Sequence, residues 1–471
     1  MKKTLLALLL LVTMLVNIFA FTSCGPKDDG TGEEEGKINI TFYHTMGENL
    51  RTVLDNYIVE FEKLYPNINV IHEQVGGYDD VRNQISLELG EGAQPNLAYC
   101  YPDHVALYNV AMAVTVLDDY IDYQGDYTWK LDGTTVSNIG LTDAQKADFI
   151  QGYYNEGKQF GDGKMYTLPL SKSTEVLYYN KTFFTENNLS VPTTWDELEA
   201  LCAKIKTLDP ECIPLGYDSE ANWFITMCEQ LKTPYTSATG DHFLFDNADN
   251  QAFVKRFAGW FAKDYVTTQD IYGAYTSGLF VAQSGQRSYM SIGSSAGATH
   301  QRPAKVEGAY PFEVGIAPIP QADADNKKVI SQGPSLCIFE NANQDEVMAS
   351  WLFAKFLTTN VAFQAEFSMV SGYVPVIKSV AENPAYKQFL NSADGGANIA
   401  ALSAKVCLEQ ESYYYTSPAF NGSSTARDQV GALLQKCLVD CAGKSDAEID
   451  AIIDKAFEDA VYQCIYLTSQ K

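Results

Sequence analysis

Early in the chain one pattern repeats, an apolar strand followed by an amphipathic helix. Residues 37–43 alternate apolar and polar side chains, which predicts a strand, and apolar side chains at helical spacing from Glu48 predict a helix. Two more strands are predicted at residues 68–75 and 97–101, with a helix at 81–89 between them. This alternation predicts an α/β fold with a largely parallel sheet, in which ligands bind at the carboxyl ends of the strands.

The middle of the chain is richer in strand patterns and the end is helical. Residues 164–181 form an extended β-branched and aromatic run, and Thr194 with Glu197 forms a capping box that predicts the start of a helix. Further strand-like runs lie at residues 289–297, 312–320 and 329–339, and a Gly-Pro pair interrupts the last of them. From Glu346 the pattern is helical almost to the end, with a break at residues 371–375.

The amino terminus has the layout of a secretory signal followed by a lipid attachment site. Two lysines precede an apolar run that extends to Phe21, and small residues then precede Cys24. This resembles the lipobox at which bacteria attach lipid to a cysteine, although Phe21 departs from the usual aliphatic residue; a plain signal peptide or a membrane anchor is the alternative. We predict a signal peptide at residues 1–23 and, at residues 24–36, a lipidated cysteine with a flexible tether, so that lipid alone holds the protein at the membrane.

Composition narrows the classes of partner and cofactor. The formal net charge of −26 repels phosphate backbones, so nucleic acid is not an expected partner. Once Cys24 is assigned to lipid, nine of the ten cysteines remain, an odd number with no CxxC spacing, and we interpret most of them as buried small hydrophobic residues. The five histidines are scattered without metal-ligand spacing. We therefore expect neither a metal nor a cofactor.

Four segments, taken in order, resemble the family of extracellular solute-binding proteins that includes the maltose-binding and glycerol-3-phosphate-binding proteins. They are ITFYHTMGEN, then STEVLYYNK with PTTWDEL after it, then SQGPSLCIF, and finally SGYVPVIKS. The glycerol-3-phosphate-binding branch looks most similar. The resemblance implies a type II periplasmic-binding-protein fold, in which a hinge joins two α/β lobes and the ligand binds in the cleft between them.

That fold implies a division of the chain into two discontinuous lobes. We assign residues 37–171 and 300–361 to lobe 1, and residues 172–299 and 362–471 to lobe 2. The chain is expected to cross between the lobes near Ser173 and again near His300.

The resemblance also implies a set of ligand-binding residues. Positions that match the motifs of the glycerol-3-phosphate-binding branch are occupied here by Tyr78, Ser173, Ser294, Gly333, Tyr373 and Arg427. A glutamate of that branch is replaced by Pro102, with Asp103 beside it as the candidate. This departure affects the part of the site that would bind hydroxyl groups, so it leaves the ligand open.

Each candidate also has a structural interpretation. Tyr78 and Tyr373 are either packing aromatics or surfaces for the C–H face of a polyol, and Trp223, in a segment that resembles a loop, is our candidate stacking platform. Ser294 is either a helix cap or part of an anion-binding turn. Arg427 either forms a surface salt bridge or binds a phosphate or carboxylate through its planar fork.

The predicted function is capture and delivery of a solute, without catalysis. We expect a monomeric substrate-binding lipoprotein of an ABC importer, on the extracytoplasmic face of the cell membrane, that delivers a glycerol phosphate, a glycerophosphodiester or a sugar to the permease. An oligosaccharide is the alternative ligand within the family. A secreted glycosidase and a surface adhesin are alternatives from other classes, but no carboxylate pair stands out and no GxSxG or P-loop occurs.

Overall fold

The computed structural model describes residues 32–393 and 398–469, so the predicted signal peptide and Cys24 lie outside the described residues. The strands are β1 Ile38–His44, β2 Ile68–Gln74, β3 Leu97–Cys100, β4 Tyr127–Thr128, β5 Thr135–Val136, β6 Leu168–Pro169, β7 Ser173–Asn180, β8 Leu215–Tyr217, β9 Val266–Thr268, β10 Met290–Ser294, β11 Val314–Ala317, β12 Val329–Gln332, β13 Ser335–Ile338 and β14 Tyr414–Tyr415.

The helices are α1 Glu48–Leu64, α2 Tyr78–Leu89, α3 Pro102–Tyr108, α4 Asp118–Ile121, α5 Asp143–Asp148, α6 Gln151–Glu156, α7 Lys181–Glu186, α8 Trp195–Leu208, α9 Glu220–Leu231, α10 Ala248–Phe261, α11 Gln269–Tyr272, α12 Ser277–Phe280, α13 Gln344–Thr359, α14 Val361–Ser371, α15 Pro384–Asn391, α16 Ile399–Glu409, α17 Ser423–Asp440 and α18 Asp446–Ser469. Short 3₁₀ turns include Ser295–Gln301. Within the described ranges no helix has the length and apolar character needed to cross a bilayer.

The first sheet contains the strands predicted at the start of the chain, in the order β2-β1-β3-β13-β6. β1 pairs in parallel with β2 and β3, whereas β13 runs antiparallel to β3 and β6. The alternation of β1 buries Ile38, Ile40 and Phe42, and α1 covers the sheet with Leu54 and Phe61. The predicted α/β pattern is therefore confirmed here, and its hydrophobic periodicity is the reason these elements pack.

The second sheet runs β14-β12-β7-β10-β8-β9, with β11 paired to β7. Helices α8, α9 and α10 supply an aromatic core that packs against it, and α17 adds aliphatic side chains. The predicted capping box is present at the start of α8, because the Thr194 side chain accepts a hydrogen bond from the backbone of Glu197. Two sheets with separate helical layers make two lobes.

The chain passes between the two sheets at three places that lie side by side. Residues 170–172 lead from β6 into β7, and residues 333–334 lead from β12 into β13. The third place is the segment at Val374, which forms an antiparallel bridge with Lys172 of the first. Gly333 has φ +98°, and a Cβ atom at this position would lie 2.7 Å from the Ser171 carbonyl oxygen. Glycine is required where the strands approach this closely.

Strand pairing corrects the predicted lobe boundaries. Residues 300–332 were assigned to lobe 1, but β11 and β12 lie in the second sheet beside β7. The second crossing therefore falls at residues 333–334 rather than near His300. Helix α14, predicted in lobe 2, packs on α1 of the first lobe. A short strand pattern does not specify which of two sheets it joins, because that depends on long-range hydrogen bonding.

The nine cysteines within the described ranges are all buried thiols without a disulfide. Burial raises the pKa of the Cys437 thiol to about 12. This supports the interpretation of these residues as small hydrophobic side chains.

Candidate ligand-binding cleft

A cavity of about 530 Å³ lies between the two lobes, at the carboxyl ends of several strands. β8 and β10 are parallel neighbours, so Asp218, which follows β8, and Ser294, which ends β10, lie at the same edge of the second sheet. Tyr101 follows β3 of the first sheet in the same way. We call this space the main cavity. Its position agrees with the general rule for open α/β sheets.

The main cavity combines aromatic rings with hydrogen-bonding side chains. Its lining residues are Tyr101, Ser173, Glu175, Asp218, Ser219, Asn222, Gln269, Tyr275, Ser277, Ser294, Ala296, Gly297, His300, Gln301, Gln332 and Tyr373. Glu175 and Asp218 are the carboxylates of this set, and neither lysine nor arginine is among these described lining residues. Such a surface suits a ligand rich in hydroxyl groups.

Glu175 is buried and held by two donors of the second lobe. The Tyr217 hydroxyl donates to Oε2 at 2.7 Å, and the Asn222 amide donates to Oε1 at 2.9 Å. Burial raises the pKa of Glu175 to about 7, although these hydrogen bonds and the Arg427 charge oppose the rise. The carboxyl group is thus fixed in orientation and kept in reach of the cavity.

Asp218 is the second carboxylate. Its Oδ1 accepts hydrogen bonds from the backbone and the hydroxyl of Thr276, both at 2.7 Å. Burial raises the pKa of Asp218 above its ordinary value. Because Thr276 occupies Oδ1, the other carboxylate oxygen remains available to a ligand donor.

Arg427 is engaged within the protein. Its guanidinium donates to Oδ1 of Asn222, and the Gln332 amide donates to the same oxygen at 3.2 Å. Because Asn222 also donates to Glu175, one hydrogen-bond network connects Arg427 to the carboxylate of the main cavity. The arginine therefore orients Asn222 and offsets the charge of Glu175.

A cluster of tyrosines forms the wall of the first lobe. The Tyr78 ring stacks on Tyr101 with 4.2 Å between centroids, and its hydroxyl lies 3.5 Å from that of Tyr373. Tyr373 follows Gly372, whose φ of +75° places the chain against Ala296 of the second lobe. Tyr101 and Tyr373 reach the main cavity, while Tyr78 lies behind Tyr101 and fixes its ring.

The structure brings most of the predicted residues to the cleft. Ser173, Ser294 and Tyr373 line the main cavity. Asp103, Gly333 and Arg427 line a second, smaller cavity that adjoins it.

Trp223 is not in the cleft, which corrects its predicted role as a stacking platform. It lies inside α9, is completely buried, and stacks on Tyr217 and Phe257. The segment is helical, not loop-like, because Ser219 caps it and apolar side chains follow at helical spacing. Tyr275, which lines the main cavity and is 67% exposed, is the aromatic residue that the cleft offers instead.

Several cleft residues escaped the sequence analysis. Glu175 lies in the quoted STEVLYYNK segment, and a charged residue in an otherwise apolar strand was a usable signal. Asp218 follows a strand of three residues and directly precedes a cap, which also marks a strand end at a sheet edge. Tyr101 ends the predicted strand at residues 97–101, a position that was also a usable signal, whereas Asn222 carries no local signal.

The family of this chain is shown by its similarity to known proteins. The model of a family described as bacterial extracellular solute-binding protein matches residues 56–391. The chain belongs to this family of solute-binding proteins. Its resemblance to that family, inferred from four motifs, is thereby confirmed.

Individual relatives of this solute-binding protein include both sugar and glycerol-phosphate binders. The chain is 23% identical over 370 residues to a maltotriose-binding protein of Pyrococcus abyssi, covering 75% of this chain and 70% of that relative. It is 25% identical over 191 residues to the sn-glycerol-3-phosphate-binding periplasmic protein UgpB of Escherichia coli, covering 40% of this chain and 39% of the relative.

Solved structures establish the fold of this solute-binding protein. A cyclic α-maltosyl-1,6-maltose binding protein of Arthrobacter globiformis superposes with a TM-score of 0.68 at 19% identity, covering 91% of this chain and 99% of the other. UgpB of Mycobacterium tuberculosis in complex with glycerophosphocholine gives 0.65 at 18% identity, covering 92% and 100%. The predicted two-lobed periplasmic-binding-protein fold is confirmed.

Proposed function

We propose that this chain is the sugar-binding subunit of an ABC importer, and that its ligand is a neutral carbohydrate. The observation that carries the proposal is the lining of the main cavity, which has three tyrosine rings and two carboxylates but no lysine or arginine among its described residues. Sugar rings pack their C–H faces on aromatic rings, and carboxylates accept hydrogen bonds from sugar hydroxyls.

The same lining argues against an anionic ligand. A phosphate in the main cavity would lie beside Glu175 and Asp218, and these carboxyl groups repel an anion whenever they are ionised. Arg427, the candidate phosphate ligand, already donates to Asn222. The sequence left glycerol phosphate and sugar both open; the charge distribution favours the sugar.

The proposed mechanism is capture without a covalent step. The ligand contacts Tyr101 and Tyr373 on one lobe and Glu175 and Asp218 on the other, so it binds most tightly when both lobes contact it at once. Binding then shifts the population of the two lobes toward the closed arrangement. The membrane permease is expected to recognise the closed form. This role requires no catalytic residue, in contrast to the secreted glycosidase.

Delivery to a permease requires a location at the membrane, and we propose that lipid on Cys24 provides it. The supporting pattern is the apolar run up to Phe21, with small residues before the cysteine. Replacing Cys24 with Ala is expected to move the protein from the membrane fraction to the soluble fraction. A variant that remains in the membrane fraction would contradict the lipid anchor.

The ligand class is tested by thermal-shift screening followed by isothermal titration. The panel contains mono-, di- and trisaccharides, glycerol-3-phosphate and glycerophosphocholine. We expect binding of a neutral sugar and none of the phosphates. Asp218→Asn should weaken sugar binding by about 1–3 kcal/mol, because a charged acceptor becomes a neutral amide.

Arg427→Ala separates the two ligand classes, with Arg256→Ala as the matched control. Arg256 forms surface ion pairs with Asp196 and Glu199, away from the cleft. Loss of Arg427 should weaken sugar binding by only about 1 kcal/mol, through Asn222. Tight binding of a phosphate compound that disappears in Arg427→Ala and persists in Arg256→Ala would refute the neutral-sugar proposal and leave the solute-binding role in place.

A further inference from the structure

Small residues surround the Asp218 carboxylate at the edge of the second sheet. β8 and β10 pair in parallel with Gly216 opposite Ser291, so two positions further along Asp218 lies beside Gly293. Side chains two residues apart on a strand point to the same face of the sheet. Asp218 therefore shares its face with two glycines and a serine on the two neighbouring strands.

Gly293 lies within β10, and its backbone gives no reason for a glycine. Its φ lies outside the left-handed region, so the backbone would accept another residue. A Cβ atom at this position, however, would lie 2.5 Å from Oδ2 and 3.3 Å from Cγ of Asp218. Oδ2 is the carboxylate oxygen that does not accept from Thr276. The missing side chain at Gly293 thus makes room for the oxygen that a ligand would contact.

Gly216 makes room in the same way for Thr276, which holds the other oxygen. Its φ also lies outside the left-handed region, and a Cβ atom would lie 2.5 Å from Cβ and 2.6 Å from Oγ1 of Thr276. The Ser291 hydroxyl accepts from the Gln301 amide at 3.1 Å and lies 3.4 Å from the Thr276 hydroxyl. Because the Thr276 hydroxyl donates its proton to Asp218, Ser291 is the donor to Thr276. A buried chain of hydrogen bonds therefore fixes Thr276, and Thr276 fixes Oδ1.

We infer that Gly216, Gly293 and Thr276 are positioning residues for ligand binding. Together they hold the Asp218 carboxylate with Oδ1 bonded inside the protein and Oδ2 left for a ligand hydroxyl. This inference rests on the proposed function as a sugar-binding protein. The nearest atom to a methyl group at position 293 is the end of a side chain, so the carboxylate turns away and the strand keeps its place. Substitution there should lower ligand affinity more than it lowers stability.

The test is a double-mutant cycle, with isothermal titration of glucose, maltose and maltotriose into each protein. Gly293→Ala should lower the affinity for the tightest-bound sugar about tenfold or more, because the charged acceptor is displaced. In an Asp218→Ala background the same substitution should change affinity by less than about twofold, since no carboxylate remains to be displaced. Thr276→Val, which removes the donating hydroxyl, should show a smaller loss that also disappears in the Asp218→Ala background.

Gly315→Ala is the matched control. Gly315 is a strand glycine of the same sheet, with a φ outside the left-handed region, and its Cβ atom would meet the ring of Tyr179, which is not among the lining residues of the main cavity. This variant should leave sugar affinity within about twofold of wild type. A loss of affinity as large as that of Gly293→Ala would show that any strand substitution in this sheet weakens binding, which would overturn the inference.

A crystal structure of ligand-free Gly293→Ala gives a readout that does not depend on the sugar. The Asp218 carboxylate should be rotated away from position 293, with its hydrogen bonds to Thr276 changed or lost. A carboxylate that has not moved, a variant that does not fold, or an equal loss of affinity in both backgrounds overturns the inference while sugar binding stands. Wild-type protein that binds none of the three sugars counts against the proposed function, whereas the crystal structure still decides whether Gly293 positions Asp218.

Discussion

His44 makes the stability of the first lobe depend on pH. Its side chain is completely buried at the end of β1, and its Nδ1 accepts a hydrogen bond from the backbone of Met46 at 3.1 Å. The proton of the neutral ring therefore lies on Nε2, which donates to Nδ1 of His72 at 2.8 Å. His72 in turn donates to Asp55 at 2.8 Å. Adding a proton to Nδ1 of His44 would remove the hydrogen bond from Met46 and place a charge in a buried site.

The magnitude follows from linkage between protonation and folding. Burial, together with the nearby His72 and Arg51, lowers the pKa of His44 to about 3. In the unfolded chain the pKa is about 6.5, so between these values the unfolded state binds more protons. The stabilising contribution is complete above about pH 6.5 and is lost as the pH falls. From pH 7.5 to pH 5.0 this loss amounts to about 2 kcal/mol.

The assay is urea unfolding at pH 7.5 and pH 5.0 of wild type, His44→Gln and His300→Gln. His300 is exposed and serves as the matched control. Other groups titrate in the same range, so the informative quantity is the difference between variants. The drop in the free energy of unfolding should be about 2 kcal/mol smaller in His44→Gln than in the other two proteins. An identical drop in all three would refute the argument.

The remaining predictions concern the hinge and the core. Gly333→Ala should destabilise the protein and weaken ligand binding, because its Cβ would lie 2.7 Å from the Ser171 carbonyl oxygen at a φ of +98°; urea unfolding and titration with sugar check both. Lys172→Met should cost about 3–5 kcal/mol by leaving Glu156 as an unpaired buried carboxylate, and the double variant with Glu156→Leu should recover part of that loss in the same assay. Trp223→Ala should lower the free energy of unfolding by about 3–5 kcal/mol, because the side chain is completely buried. A variant with unchanged stability that no longer binds ligand would indicate that Trp223 contacts the ligand after all.

Local patterns in the sequence were sufficient to predict the α/β class, whereas the two-lobed architecture followed from the resemblance to the family. Strand alternation in β1 and the capping box at Thr194 are short-range features, and both are present as predicted. Motifs in a fixed order then pointed to Ser173, Ser294 and Tyr373, which meet at the main cavity. Such residues were predictable because each lies within a segment whose local conformation and position in the chain are characteristic of the family.

Tertiary structure decided what those residues do. Arg427 lies 205 residues from Asn222 in the chain, yet it donates to that side chain, and no local pattern predicts such an encounter. The high pKa of Glu175 arises from burial by elements that are remote in sequence. Trp223 looked available to a ligand until helix packing placed it in the core. Periodicity along a chain reports which face of an element is apolar, whereas the charge, exposure and partners of a side chain depend on which elements fold against it.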